Sequence, residues 1–478
     1  MNISELKKKL ITKISPTESE QSNIKKITNE FITSLKNQAN KKDLNYIFIE
    51  SQGSTGKKQT HLTSASDIDI FVGLRKDDYR HILNLEKREK KEKINQIFLD
   101  IINSTFIPVA KKLKCEKIRI FYAEHPYLNT KKGIYDIDIV GCFALSKEEL
   151  LKSGPITAVD RTPVHTQIIS DNLTDDQKNE VRLLKSFFQA NHAYGDTCSI
   201  GQFGFTGFSA EVLILYFGTI ENTFQNFVSI HNKPIDFFNR DPKTLLKNPR
   251  FKNDYIIITD PTDKKRNIAS SISKRAYEYI SYQISEFLKS PSEDFFIIQP
   301  ILMLTYDEMS KIGSNYYVLE FKSDDTVHYT ELRDKLYSLG KKLKTILEKE
   351  SSGQTKFGKC TYTLHYEDYY YGLVFHCSKN NLSRTYQRKG PPIALKEHVD
   401  KFKKKNPNFF IKDGFIWTVA NREYVILSQL FSDFVKKVQI KGILLVNQSS
   451  TGINKVGKKA LAILHKKILP LEDKLKKL

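Results

Sequence analysis

Two stretches in which aspartate alternates with isoleucine constrain this chain more than any other feature. The first, Asp67-Ile68-Asp69-Ile70-Phe71-Val72, reads as a strand from its β-branched and aromatic content. The second, Ile134-Tyr135-Asp136-Ile137-Asp138-Ile139-Val140-Gly141-Cys142-Phe143, repeats the alternation. Side chains alternate across a strand, so in each stretch the carboxylates share one face and the isoleucines the other. One such strand alone also suits a solvated sheet face. Laid side by side, the two form a nest of three carboxylates able to hold two metal ions. Mg²⁺ is the natural occupant, because it takes oxygen from one or two carboxylates and from substrate phosphates. The spacing by itself leaves Asp136 and Asp138 both open as the third member.

The residues just before the first acidic strand supply a second half to this site. Tyr46-Ile47-Phe48-Ile49 is an apolar run of strand length, and Gly53-Ser54 after it forms a tight turn. The polar residues that follow are expected to open a helix, whose free N–H groups and positive dipole end would cradle an anion. Gly56-Lys57 is not a P-loop, since no glycine precedes it at the required spacing and Lys58 stands where Ser or Thr is needed. A phosphate cradle followed by a metal-holding strand outlines nucleotidyl transfer, a chemistry of positioning and charge neutralisation. Glu124 and His125 read as strand-end and turn residues.

Gly-Ser, then Asp-Ile-Asp-Ile-Phe-Val, then a distant Asp-Ile-Val-x-Cys strand resembles the polymerase-β-type nucleotidyltransferases. More narrowly it resembles the archaeal (class I) CCA-adding family of tRNA nucleotidyltransferases. The likeness continues through Thr157–Thr166, Asn179-Glu180-Val181-Arg182-Leu183-Leu184-Lys185, Ala193-Tyr194-Gly195 and Gly204-Phe205-Thr206-Gly207 into Glu211-Val212-Leu213. It extends through Asp260–Asn267 and on to Gly390-Pro391-Pro392 and Glu397-His398-Val399. The resemblance implies an α+β multidomain chain with a polymerase-β-like head. It makes Asp67, Asp69 and Asp138 the catalytic, metal-holding carboxylates, with Mg²⁺ as cofactor. It assigns nucleotide contacts to Gly53, Ser54, Lys57, His165, Lys185, Tyr194 and Arg266, with Asp260 and Asn267 shaping the turn that carries Arg266. The base would be selected by a pocket formed jointly by protein and tRNA end. Three positions depart from the family pattern. Lys57 and Lys58 replace the usual arginine, with one residue inserted before the acidic strand; Gly141 replaces a proline; Phe203 replaces a basic residue.

Composition agrees. The 478 residues carry a net charge of +21, with 23 Tyr and 30 Phe, which suits a polyanion whose bases can be stacked upon. The partners implied are the tRNA acceptor arm, CTP and ATP, and a homodimer is the one self-association considered. No run reaches membrane-spanning length and no apolar stretch follows the N-terminal lysines, so a cytoplasmic protein is expected. Five cysteines without paired spacing argue against a disulfide framework and a zinc ribbon. Expected domains are a head at about 1–148, a mainly helical neck at 149–275 and an α+β body and tail at 276–478.

Helical periodicity predicts two pieces within 1–40, split at Pro16, and helices after Thr174 and Gly207. Further helices are expected near 329–349, 395–404 and 424–438, with a last one over Lys458–Lys477 broken at Pro470. Strands are expected at Tyr255–Thr259, Phe295–Ile298, Tyr316–Phe321, Leu373–Phe375 and Phe415–Val419, and Lys264-Lys265-Arg266 is expected as a basic turn leading into a helix. Tyr369-Tyr370-Tyr371 suits core at a strand start, or RNA stacking. Two other functions use the same residues: an adenylyl-adding relative with the same head, and a non-catalytic RNA-binding protein with a relic head.

Overall fold

Both acidic stretches are strands of one sheet in the structure, a computed structural model that describes residues 3–476. The sheet contains β1 (Tyr46–Gln52), β2 (Asp67–Leu74), β3 (Glu116–Tyr122), β4 (Pro126–Lys132) and β5 (Tyr135–Phe143), in the order β1-β2-β5-β4-β3. β2 and β5 run parallel and the other pairs antiparallel. A parallel neighbour needs a crossover, and the helix Lys87–Ile101 with its continuation to Lys112 lies within that connection. Ile68, Ile70, Val72, Ile137 and Ile139 fill one face and meet Phe31, Leu35, Ile94, Phe98 and Phe106 from the helices. Each such side chain contributes about 2 kcal/mol by leaving water. A one-residue slip of either strand would turn its isoleucines outward, so the core also fixes where the aspartates point.

The preceding helices Ile3–Ile14 and Glu18–Lys41 are split at Pro16 as expected, and Thr17 caps the second in a reciprocal box with Glu20. Glu20 also accepts from the Ser64 N–H at 2.7 Å, tying down the loop before β2. The helix expected after Gly53-Ser54 does not form: residues 53–58 are successive turns.

Beyond the sheet come the helices Thr162–Asn172, Asp175–Ala190, Gly207–Phe217 and Lys274–Lys289. Thr174 caps the second of these with Gln177. The strand expected at Tyr255–Thr259 shrinks to β6 (Thr259–Asp260), paired with β7 (Asp263–Asn267). The reason is Asn267, whose amide takes Ile256 O and Asp254 while its oxygen accepts Ile258 and Ala269 N–H, holding that segment in an irregular path. Lys264, Lys265 and Arg266 accordingly lie on a strand, not on a turn. Phe295–Ile298 is also no strand. A 3₁₀ turn, Glu293–Phe295, ends there, and Phe295 and Phe296 pack on Phe187 instead.

The chain divides into two compact units. One holds the described residues up to Gly195 with Phe203–Gln299, and the other holds Asp196–Gln202 with the described residues from Pro300. The second contains β8 (Tyr316–Ser323), β9 (Cys360–Glu367), β10 (Tyr370–Cys377), β11 (Thr385–Pro392), β12 (Phe409–Lys412), β13 (Phe415–Asn421) and β14 (Ile443–Ser449). They form an antiparallel β14-β8-β10-β9 sheet and a smaller β11-β13-β12 sheet. Helices Tyr329–Glu348 and Leu427–Val435 cover one face of the larger sheet. The helix Lys455–Ile463 crosses the other face at Gly372, where a Cβ would stand 2.9 Å from Gly457. The final helix is not broken at Pro470. The turn before it, Leu464–Ile468, widens to a π turn that accommodates the missing N–H, as Ile102–Phe106 does before Pro108. Lys477 lies outside the described residues. Tyr371 is core and Tyr369 is exposed. Asp196–Gln202 is held in this unit by Thr363 donating to Ser199 O at 2.7 Å and Tyr337 donating to Gly201 O at 2.8 Å.

Candidate active site

The parallel register pairs Asp67 with Asp136 and Asp69 with Asp138, so all four carboxylates lie on the face away from the isoleucine core. The geometry separates the two residues that spacing left open. Asp136 is at the exposed end, its carboxylate 3.9 Å from Lys131. Asp138 sits beside Asp69 and accepts from Asn129 at 2.7 Å. Burial, followed by repulsion from Asp138 and Asp67, pushes Asp69 up to about 7. Burial, followed by Asp67 and Asp136, pushes Asp138 up to about 6 despite the Asn129 bond. The Tyr127 hydroxyl faces the same pair, and burial with these two charges pushes it up to about 12. Gly53, at φ +70°, closes the floor: a Cβ there would lie 2.2 Å from Asp69 Oδ2.

A group of oxygen donors that destabilise one another's charge is what a hard cation relieves. Among the described residues no three His, Cys, Asp or Glu side chains are already drawn into a cage.

The turns that replace the expected helix are built around the Ser54 carbonyl, which accepts Thr60 N–H at 3.0 Å and the His61 ring Nδ1 at 3.1 Å. Thr55 donates to Asp67 O at 2.7 Å, joining the loop to the acidic strand. Arg182 clamps its far end, donating to Gln59 O at 2.6 Å and His61 O at 3.0 Å. The two adjacent lysines part company here. Lys57 turns outward to Glu50 at 2.5 Å. Lys58 turns inward, is buried, and pairs with Glu211 at 2.8 Å while lying 5.0 Å above the Phe208 ring. Its charge also acts on Asp69, drawing that carboxyl down.

Glu211 is the hub of a buried polar cluster. Besides Lys58 it accepts from Thr60 Oγ1 at 2.6 Å and from Lys185 at 3.0 Å. Lys185 also donates to Thr60 O and Oγ1 at 3.1 and 3.0 Å. Burial favours the neutral carboxyl of Glu211, but the two lysines hold it down at about 2. Tyr194 meets this cluster over Gly207, where a Cβ would come within 2.9 Å of the Tyr194 hydroxyl and 3.4 Å of Lys185 Nζ.

His165 and Arg266 converge on Asp260. The His165 Nε2 lies 2.9 Å from Asp260 Oδ1, and Arg266 donates to Oδ2 at 2.7 Å. Burial opposes the Asp260 charge, yet bonds from His165 and Thr262 hold it well below the usual carboxylate range. His165 stacks on Phe208 at 4.1 Å, the ring that also lies under Lys58. Asp67, Asp69, Asp138 and Gly53 therefore form one group, Lys185 and Tyr194 a second, and His165 and Arg266 a third. Lys58 and Phe208 link them. Lys57 stands apart, and Ser54 contributes its carbonyl.

The family model for the second domain of tRNA nucleotidyltransferases matches residues 179–297, and that for the C-terminal domain of CCA-adding enzymes matches 313–442. Among solved structures, the Cid1 poly(U) polymerase with Mg and 3′-dATP bound aligns at 12% identity. Its TM-score is 0.44, over 62% of this chain and 99% of that one. The CCA-adding enzyme of Methanosarcina acetivorans is 28% identical over 84% of this chain and 81% of its own length. That of Archaeoglobus fulgidus is 26% identical over 89% and 87%, and that of Methanocaldococcus jannaschii 27% over 91% of each. The chain belongs to the archaeal CCA-adding enzyme family. It is a nucleotidyltransferase, and enzymes of this type use divalent metal ions.

Within that family, the departures of this chain acquire physical reasons. Gly141, where the resemblance leads one to expect proline, faces the Phe98 ring: a Cβ would lie 2.4 Å from it, leaving no room for a larger residue without a shift. Of the two lysines in the Gly-Ser loop, Lys58 and not Lys57 is the inward cation, paired with the buried Glu211. The sequence assigns no role to Lys58, Arg182 or Glu211, although they stand within its motifs, and does not single out Thr60, Phe208, Asn129 or Tyr127. Only Glu211 announces itself, as the single charged residue in the helix Gly207–Phe217. A carboxylate on a helix apolar all round must be paired.

Proposed function

We propose that this chain is a CCA tRNA nucleotidyltransferase that adds C, C and A without a template to the tRNA 3′ end, from CTP and ATP, releasing pyrophosphate. The observation that carries the reading is Asp69 seated in register beside Asp138 over Gly53. The chain around that site has CCA-adding enzymes as relatives along most of its length. Asp67, Asp69 and Asp138 would hold two Mg²⁺ ions, whose charge acidifies the terminal ribose hydroxyl and neutralises the triphosphate. Lys58 and Lys185 bring positive charge to the phosphates, Lys185 by exchanging one of its present contacts. Gly53 and Ser54 keep the loop low against Asp69 so that a nucleotide can approach. Tyr194, His165 and Arg266 bound the sugar and base side, with His165 and Arg266 oriented by Asp260. Lys58 replaces Lys57 in this role because Lys57 is turned to Glu50.

The basic surface, +21 in all, grips the acceptor arm through phosphate charge and shape. On this reading residues 1–148 carry the chemistry, 149–275 bind nucleotide and tRNA end, and 276–478 bind tRNA, in the cytoplasm. Among the described residues no helix is long and apolar enough to cross a membrane.

The test is incorporation of labelled CTP and ATP, with Mg²⁺, into tRNAs ending before the CCA, after C and after CC. C is expected on the first two and A only on the third. ATP use on every substrate would make the chain an adenylyl-adding relative. No incorporation of either would leave an RNA-binding role.

A further inference from the structure

Resting on that reading, we propose that Glu211 is a positioning residue. It clamps Lys58 of the catalytic loop and Lys185 of the helix Asp175–Ala190 into one preassembled pair of cations that receives the nucleotide's phosphates.

The contacts come from three separate parts of the chain. Glu211 lies on Gly207–Phe217, Lys185 on Asp175–Ala190, and Lys58 with Thr60 on the loop after β1. An ordinary buried ion pair needs one partner for one charge. Glu211 instead spends its two oxygens on two ammonium groups, Oε2 on Lys58 and Oε1 on Lys185, and takes the Thr60 hydroxyl as well. Both lysines and the carboxylate are almost fully buried. Two buried cations share one carboxylate as their hydrogen-bonded partner, which leaves the pair with room for a further anion. A triphosphate is such an anion, and it must come close to Asp69, whose charge Lys58 already feels. Gly207 leaves the space in which the Tyr194 hydroxyl and Lys185 Nζ approach each other, so nothing on the helix itself intrudes.

Burial works against charging Lys185, and Glu211 is the group that opposes this most strongly. Without Glu211 the lysine would keep only its Thr60 contacts, with no carboxylate beside it to offset the effect of burial. The consequence falls on nucleotide affinity and not on tRNA affinity, because no RNA-facing group is invoked.

The experiment uses the full-length enzyme with its tRNA substrates, comparing Glu211→Gln, Glu211→Asp and Thr60→Val with wild type. KM for CTP and ATP, kcat, and KM for tRNA are read separately, with circular dichroism for folding. E211Q is expected to raise both nucleotide KM values at least tenfold with tRNA KM within twofold of wild type. E211D, which keeps the charge, should recover most of that loss. T60V, which removes the hydroxyl shared by Glu211 and Lys185, should raise nucleotide KM several-fold while staying folded. A folded E211Q with wild-type nucleotide KM overturns the proposal. If E211Q does not fold, T60V and E211D decide, and unchanged nucleotide KM in T60V overturns it. Wild-type incorporation of C, C and A proceeds regardless of these outcomes, so a failure here leaves the reaction assignment standing.

Discussion

Replacing Asp69 by Asn should make the metal-free protein more stable while destroying its chemistry. A carboxyl held at about 7 instead of its usual 3.8 costs about 4 kcal/mol to ionise in the folded state at pH 8, at 1.36 kcal/mol per tenfold change. Asp69 keeps partial contact with solvent, and Asp138 shares the repulsion, so about half of that, ~2 kcal/mol, is recoverable by removing one charge. The direction with pH follows from linkage. The folded state binds this proton more tightly than the unfolded chain, so the wild-type penalty is absent below about pH 4 and grows until about pH 7. Urea or thermal unfolding of wild type and D69N in a chelator, at several pH values, reads it directly. D69N should be the more stable at pH 8, by roughly 4 °C in Tm, with the gap closing toward pH 4. Adding Mg²⁺ should then stabilise wild type much more than D69N. A D69N protein less stable than wild type at pH 8 in chelator, or a gap that ignores pH, would refute the view that these carboxylates are mutually strained and await a cation.

Asp138→Asn should lower CTP incorporation by about a thousandfold while tRNA binding, measured by filter retention, stays within a factor of a few. Gly53→Ala places a Cβ 2.2 Å from Asp69 Oδ2 at a left-handed backbone position, so incorporation should fall by roughly a hundredfold, with a urea-melt loss of about 1–3 kcal/mol. Lys58→Met should raise KM for both nucleotides by about tenfold or more, because a bond to a charged group contributes about 1.5–3 kcal/mol. Lys57→Met, at a side chain half exposed and paired only with Glu50 in the described contacts, should change it by no more than about twofold. Steady-state kinetics on one tRNA preparation compares the two lysines.

What the sequence disclosed and what it hid divide along a physical line. The acidic strands were legible because alternation is local and its burial consequence is forced: Ile68 and Ile70 go in, so Asp67 and Asp69 go out. The choice of Asp138 over Asp136 depended on register with a strand far away in sequence, which no local pattern encodes. The loop after Gly53 was misread because a polar run after a turn is equally compatible with a helix start. Here the Ser54 carbonyl captures Thr60 and His61, and Arg182 takes the Gln59 and His61 carbonyls. Which of two neighbouring lysines turns inward is decided by Glu211, about a hundred and fifty residues away. Tyr255–Thr259 had strand composition, yet Asn267 supplied partners for its backbone and removed the need for a ladder.

The placement of Asp196–Gln202 in the second unit also bears on the order of synthesis. This segment leaves the ribosome well before the strand residues that hold it, Thr363 and Tyr366, and before Tyr337. The nascent first unit must therefore complete its pairing of Tyr194 with Phe205 around a bight whose Asp196, Ser199 and Gly201 carbonyls still await the Tyr366, Thr363 and Tyr337 hydroxyls. Fragments ending near Gln299 inherit that exposed bight permanently, so a shortened enzyme prepared at this natural-looking boundary is expected to self-associate unless the bight is trimmed between its flanking glycines.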